Sequence, residues 1–188
     1  SIQTFILKNE KELSVKYLNK FSSLIRSVLD NSNRNFITIK EDLNALVDYI
    51  ELEKVRFEGK FNYEIKIDND IDVNYFQIPP LILQPIIENS IWHGLVHKKI
   101  GIGLLVVSFH MKDEDIICII EDNGVGREKA SEFKKAENHK SVGISITKER
   151  LRIINKKSKN KITLFIEDVN SEIEETGTRV IIRFPKRT

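Results

Sequence analysis

Four short stretches of this chain place acidic, amide or glycine residues where a ligand could use them. Glu88, Asn89 and His93 fall within six residues of an otherwise oily run, PPLILQPIIENSIWHG. An Asn side-chain oxygen suits Mg2+, a hard cation that takes oxygen ligands alongside water and phosphate. A neighbouring Glu can orient or deprotonate a water or a hydroxyl. The second stretch is Glu121-Asp-Asn-Gly-Val-Gly126. Its glycines let the backbone turn sharply and approach a flat ligand closely. A carboxylate at the end of a strand can accept a hydrogen bond from an exocyclic amine such as that of adenine. The third, Lys140-Ser-Val-Gly-Ile144, sets a glycine beside a helix start, where free amides attract phosphate. The fourth is Gly177-Thr178, whose hydroxyl can support a ligand. Each has a plainer reading: a wet helix face, a strand-ending turn, an ordinary helix entry, a turn glycine. None is a P-loop or a dinucleotide fingerprint.

Elements must hold these stretches in place. Residues 1–57 lack Gly and Pro and read as helix. Asn9 with Glu12 forms one capping box, followed by Leu13, Tyr17, Leu24 and Val28 on a stripe. Asn31-Ser-Asn-Arg-Asn is a turn, and Thr38 with Glu41 forms a second capping box before Leu43, Leu46, Val47 and Ile50. Helices this few cannot bury every apolar face alone, so they pack on the second part, on a partner chain, or on both.

After Gly59 the texture alternates between strands and helices. Strands are expected at Tyr63–Ile67, Leu104–Met111, Ile116–Ile120, Ile162–Glu167 and Arg179–Phe184. Pro79-Pro80 opens the oily helix, with Pro85 as a kink or as its true first turn. On that helix Ile82, Leu83, Ile86, Ile87 and Ile91 share one side, and Glu88, Asn89, Trp92 and His93 the other. Residues 127–142 are polar without a period, hence a mobile loop, and a helix runs from Gly143 to Asn155. The pattern predicts an α+β fold: a mixed sheet with helices on one face, preceded by amphipathic helices.

Composition narrows the partners. A net charge of +2 over 188 residues is too small to imply nucleic-acid binding. Cys118 is the only cysteine and sits in an apolar run, IICII, which points to a buried inert thiol. No apolar run reaches membrane-spanning length. The basic run 148–161 reads as a solvated helix face, and His97 and His110 lack metal partners at suitable spacing.

Taken together, the Glu-Asn-x-x-x-His-Gly helix, the Asp-Asn-Gly-Val-Gly loop, the polar segment, the helix-start glycine and the late Gly-Thr strand resemble the GHKL ATPase fold, a two-layer α/β sandwich of the Bergerat type. The phrase PPLILQPIIENSIWHG is similar to the N-box of the LytS-type branch of sensor histidine kinases. The helical stretches SIQTFILKNEKELSVKYLNKFSSLIRSVLDN and ITIKEDLNALVDYIELEKVRF resemble that branch's helices between phosphoacceptor and ATPase domain. The resemblance runs from Ser1 to Pro185. It implies two domains, a dimerisation remnant over 1–58 and a GHKL ATP-binding domain over 59–188.

By the same resemblance Asn89 ligates Mg2+, Glu88 assists phosphotransfer and His93 lies near the phosphates of ATP. Asp122 binds the adenine amine, Gly124 and Gly126 shape the pocket, Gly143 faces the phosphates and Thr178 supports the adenine side. Residues 127–142 form the ATP lid. The implied reaction is transfer of the γ-phosphoryl group to a histidine and then to an aspartate of a response regulator. The implied setting is a homodimer formed through the N-terminal helices, on the cytoplasmic side of a membrane-anchored parent. Three features depart from the family pattern. The helical part holds no His, since the four are His93, His97, His110 and His139; the acceptor is therefore expected upstream, and this chain is not expected to autophosphorylate alone. Ser141-Val-Gly-Ile-Ser-Ile146 stands where Gly-x-Gly-Leu-x-Asn is usual, and Trp92 where Lys or Arg is common. Two rival readings follow: a GHKL ATPase with Glu88 as the hydrolytic base, and a non-catalytic dimerisation or regulatory module.

Overall fold

The computed structural model describes residues 11–130, 143–156, 158–169 and 177–186. The chain divides into two compact units, one of residues 1–59 and 73–81, the other of residues 60–72 and 82–188.

In the first unit, helix α1 (Lys11–Ser32) and helix α2 (Ile39–Arg56) are separated by a two-residue strand, β1 (Ile37–Thr38). That strand pairs antiparallel with β3 (Gln77–Ile78), which the sequence pattern did not mark. The expected capping box at Thr38 is present. Its hydroxyl accepts from the Glu41 backbone N–H at 3.1 Å, and the Glu41 carboxylate accepts from the Thr38 N–H at 2.8 Å. Two of the four unpaired amides of the helix start are thereby satisfied. Thr38→Ala is expected to cost about 1 kcal/mol in a urea melt of the chain. The proposed cap at Asn9 lies outside the described residues. Burial centres on α2, with Ile37, Ile39, Leu43, Leu46, Ile50 and Ile78 inside. Of the predicted α1 stripe only Leu24 is buried; Leu13 is 48% exposed, and a further line, Leu18, Phe21, Ile25 and Leu29, also faces outward.

The second unit is a five-stranded mixed sheet in the order β2-β4-β5-β7-β6. Its strands are β2 (Phe61–Ile67), β4 (Gly103–Lys112), β5 (Asp115–Asp122), β6 (Thr163–Asp168) and β7 (Thr178–Phe184). Only β2 and β4 are parallel. Strands β4 and β5 form a hairpin through Asp113 and Glu114, both at positive φ (49° and 70°), the twist that a two-residue hairpin turn requires. Alternation does the rest: Leu105, Val107, Phe109, Ile116, Cys118, Ile120, Val180, Ile182 and Phe184 all point to one face and are buried. Cys118 is a buried free thiol, as its apolar surroundings suggested.

On that face lie helix α3 (Gln84–Asn89), which continues as a π-helical turn (Ser90–Leu95), and helix α4 (Gly143–Lys156). The oily helix therefore begins at Gln84 rather than at Pro79-Pro80. A proline forces its predecessor toward extended backbone, and Leu81 at φ 59° holds the chain out of helix until Pro85 takes the first turn. The stripe assignment holds, with Ile82, Leu83, Ile86, Ile87 and Ile91 buried, Glu88 exposed, and Asn89, Trp92 and His93 half-buried. The expected loop over 127–142 is corrected at its start, because residues 126–130 are helical; residues 131–142 lie outside the described residues.

Candidate nucleotide site

The site is built around Asp122, the last residue of β5 and only 2% exposed. Three donors converge on its carboxylate: the Ser90 hydroxyl from the π-helical turn and the backbone N–H groups of Gly124 and Thr178. The Gly124 contact measures 3.0 Å. Burial nevertheless dominates and pushes the Asp122 carboxyl up to about 6, with the Glu121 carboxylate acting in the same direction.

Two glycines bring the loop and the helix together. A Cβ on Gly124 would lie 2.4 Å from the Gly94 carbonyl carbon and 2.6 Å from its Cα. A Cβ on Gly94 would lie 2.9 Å from Asp122 Oδ1. The backbones of the Asp-Asn-Gly turn and the π-helical turn therefore touch, and the Val125 N–H donates to Gly94 O at 3.4 Å. A π-helical turn carries one extra residue, which widens the helix where it meets the loop. Gly177 closes the other side: at φ 47° it donates to Gly124 O at 3.1 Å, and a Cβ there would lie 2.2 Å from Asp122 O.

The structure thus gathers Asp122, Gly124 and Thr178 into one cluster. Thr178 takes part through its main chain, opposite Asp122 in the β5–β7 ladder. Glu88, Asn89 and His93 are on the helix that supplies Ser90 and Gly94. Gly126, at φ 76°, starts the short helix after the loop. Gly143 sits against Pro85, so the first turns of α3 and α4 adjoin; a Cβ there would lie 3.3 Å from Pro85 Cβ. Ser90 and Gly94 were not foreseen. A Ser among apolar residues was a signal for the first, and the Gly in His-Gly for the second. Ser90→Ala is expected to cost about 1–2 kcal/mol and to raise the Asp122 carboxyl further, measurable by denaturation and by carboxyl NMR titration.

A second polar chain lies on the opposite, open face of the sheet. His110 Nδ1 is 3.1 Å from Asp68 Oδ1, and its Nε2 is 3.0 Å from Ser108 Oγ. The connectivity is that of a hydrolytic triad, but β4 spends its amides on ladders to β2 and β5, leaving no donor pair for an oxyanion. Its role is to fasten the end of β2 to β4, with Met111 N–H also donating to Asp68. Among the described residues no group of three or more His, Cys, Asp or Glu could hold a metal by itself.

A model of the histidine kinase family matches residues 1–61. Over 121 residues, 64% of the chain, the sequence is 30% identical to the sensor protein LytS of Staphylococcus haemolyticus. Over these stretches the chain is similar to the LytS-type sensor histidine kinases. It is also 29% identical to YwpD of Bacillus subtilis over 136 residues, 71% of this chain. It spans 48% of YwpD and 20% of LytS. The mycobacterial sensor histidine kinase MprB shares the fold, with a TM-score of 0.54 at 13% identity over 80% of this chain and 95% of that one. The α+β architecture, a mixed sheet covered by helices on one face, is the fold found in that kinase.

Proposed function

We propose that this chain is the ATP-binding catalytic part of a two-component sensor kinase, with its helical unit serving dimerisation. The observation that carries the reading is Asp122: a buried carboxylate at a strand end, ringed by three donors and flanked by the closely approaching backbones of Gly94 and Gly124. Asp122 accepts the exocyclic amine of adenine, with Thr178 on the same side. Gly124 and Gly126 keep the loop close to the base, and Gly143 turns the start of α4 toward the phosphates near His93.

The donor set of α3 fits Mg2+. Half-buried Asn89 and exposed Glu88, adjacent on the helix, carry the oxygen ligands a hard cation takes. When bound, Mg2+ neutralises charge on the transferred phosphoryl group. Asn89 would hold that ion, and Glu88 would accept or direct the proton of the attacking group. The acceptor is a histidine supplied from outside the helical unit, which has none, and the phosphoryl group then passes to an aspartate of a response regulator. The exposed line Leu18, Phe21, Ile25 and Leu29 on α1 supports a homodimer, because its spacing follows one helix face. A cytoplasmic position in a membrane-anchored parent is part of the same reading; among the described residues no helix is long and apolar enough to cross a membrane.

Calorimetric titration of the chain with Mg-ATP tests the proposal. Saturable binding that Asn89→Asp weakens is expected, and incubation with labelled ATP should leave the chain itself without phosphohistidine. A wild-type titration with no heat and no competition by ADP overturns the catalytic reading.

A further inference from the structure

Helix α4 and the entry to β6 border an open, shallow groove of about 510 Å3 that the nucleotide reading does not use. Its rim is cationic. Lys148, Arg152 and Lys156 follow one another at four-residue spacing along α4, and Lys161 faces them from the loop. Its floor is aliphatic, made by Leu151, Ile162 and Leu164. Residues 148–161 carry seven basic side chains against a single acidic one, Glu149, in a chain whose net charge is only +2. Among the described residues the one ion pair on this rim is Arg152–Glu149, at 3.6 Å between well-exposed groups. The walls are fixed to each other, since the Asn155 amide both donates to Ile162 O and accepts from Ile162 N–H, each at 2.8 Å.

We propose that this groove docks an acidic amphipathic peptide segment of a partner protein. Four-residue spacing on α4 sets the cations about 6 Å apart, the repeat at which a second helix presents acids at i and i+4. The aliphatic floor takes a Leu- or Ile-sized side chain between those acids, and unpaired rim charge steers the encounter. The lining offers no aromatic ring on which a nucleic-acid base could stack.

The test uses the full chain and a fluorescent 16-residue helical probe peptide with Glu pairs at i,i+4 flanking Leu. Saturable anisotropy is expected, weakening about tenfold on raising salt from roughly 50 to 200 mM. Lys148→Gln with Arg152→Gln should weaken probe binding at least tenfold, and Lys156→Gln with Lys161→Gln likewise, with the thermal midpoint and Mg-ATP titration unchanged. Replacing the probe's Leu residues with Ser should also abolish binding. Equal binding by both variant pairs overturns the proposal. So does an inert probe alongside binding to phosphatidylglycerol vesicles or to a single-stranded oligonucleotide, since the partner is then a lipid surface or a nucleic acid. Failure of Mg-ATP binding leaves this test intact, because no groove residue belongs to the nucleotide cluster.

Discussion

Asp122→Asn is expected to weaken Mg-ATP binding about 100-fold while making the folded chain more stable at neutral pH. The two effects have opposite signs because, on the proposed reading, the carboxylate serves the ligand at the expense of the fold. Burial holds the folded carboxyl at about 6, above its ordinary 3.8. A raised value means that the folded state prefers the proton. The contribution of Asp122 to stability is therefore complete below about 3.8 and is lost as pH rises through about 6. The loss amounts to about 3 kcal/mol at pH 7. An amide carries no charge to desolvate, but it offers a single acceptor oxygen to the Gly124 and Thr178 amides. The expected gain is accordingly smaller, about 1–2 kcal/mol.

Buried Asp42 in α2, also pushed up by burial, to about 7, contributes the same trend in the first unit. The measurement is therefore the difference between wild type and variant in urea melts from pH 4 to 8. That difference should favour the variant by about 1–2 kcal/mol at pH 7, shrink as pH falls, and reverse by up to about 1 kcal/mol at pH 4. Nucleotide affinity runs the other way, because the adenine amine needs an ionised acceptor: wild-type binding should be about tenfold weaker at pH 5 than at pH 7.5. A variant that loses stability and binding together at pH 7 would show Asp122 to be a structural residue only.

How much of this site could be read in advance depends on the range of the interaction. The capping box at Thr38 and Glu41, the two faces of IENSIWHG and the position of Asp122 at a strand end are local, and local spacing encodes them. The contact between Gly94 and Gly124 spans thirty residues, and the π-helical turn that permits it departs from the 3.6-residue period on which helix reading rests. The Ser90 hydroxyl finds its partner only once β5 is laid under the helix. Likewise Asp68, Ser108 and His110 meet because β2 and β4 pair in parallel, which no local pattern reports. The outward line of α1 was hidden for another reason: its apolar residues cover more than one face, and periodicity alone does not say which face the chain buries. The late opening of the oily helix at Gln84 follows from Leu81 holding a positive φ that its residue type does not suggest.

The thirty-residue contact also sets the largest expected effect on folding. Gly124→Ala places a methyl group 2.4 to 2.7 Å from the carbonyl carbon, Cα and oxygen of Gly94. Those atoms are backbone in a turn pinned between Ile91, whose side chain is fully buried, and Leu95 at 1% exposure, so no rotamer change relieves the clash. Either the Asp-Asn-Gly loop lifts or the π-helical turn shifts. Each route breaks the Gly124 N–H bond to Asp122 and the Gly177 N–H bond to Gly124 O. Overpacking combined with two lost buried hydrogen bonds predicts a cost of about 3–5 kcal/mol, along with loss of nucleotide binding. Gly59→Ala is the control, because Gly59 also needs a positive φ, 73°, but has no atom within 4 Å of the added methyl. It should cost about 1 kcal/mol, the strain alone. Gly94→Ala separates packing from chemistry: its methyl meets the Asp122 carboxylate at 2.9 Å, a side chain that can rotate away. That variant should keep more stability than Gly124→Ala yet lose adenine recognition, since the rotated carboxylate no longer receives Ser90 and Gly124. Urea melts showing Gly124→Ala within 1 kcal/mol of Gly59→Ala would mean that the two backbones do not touch in solution and that the loop does not hold Asp122 against the π-helical turn.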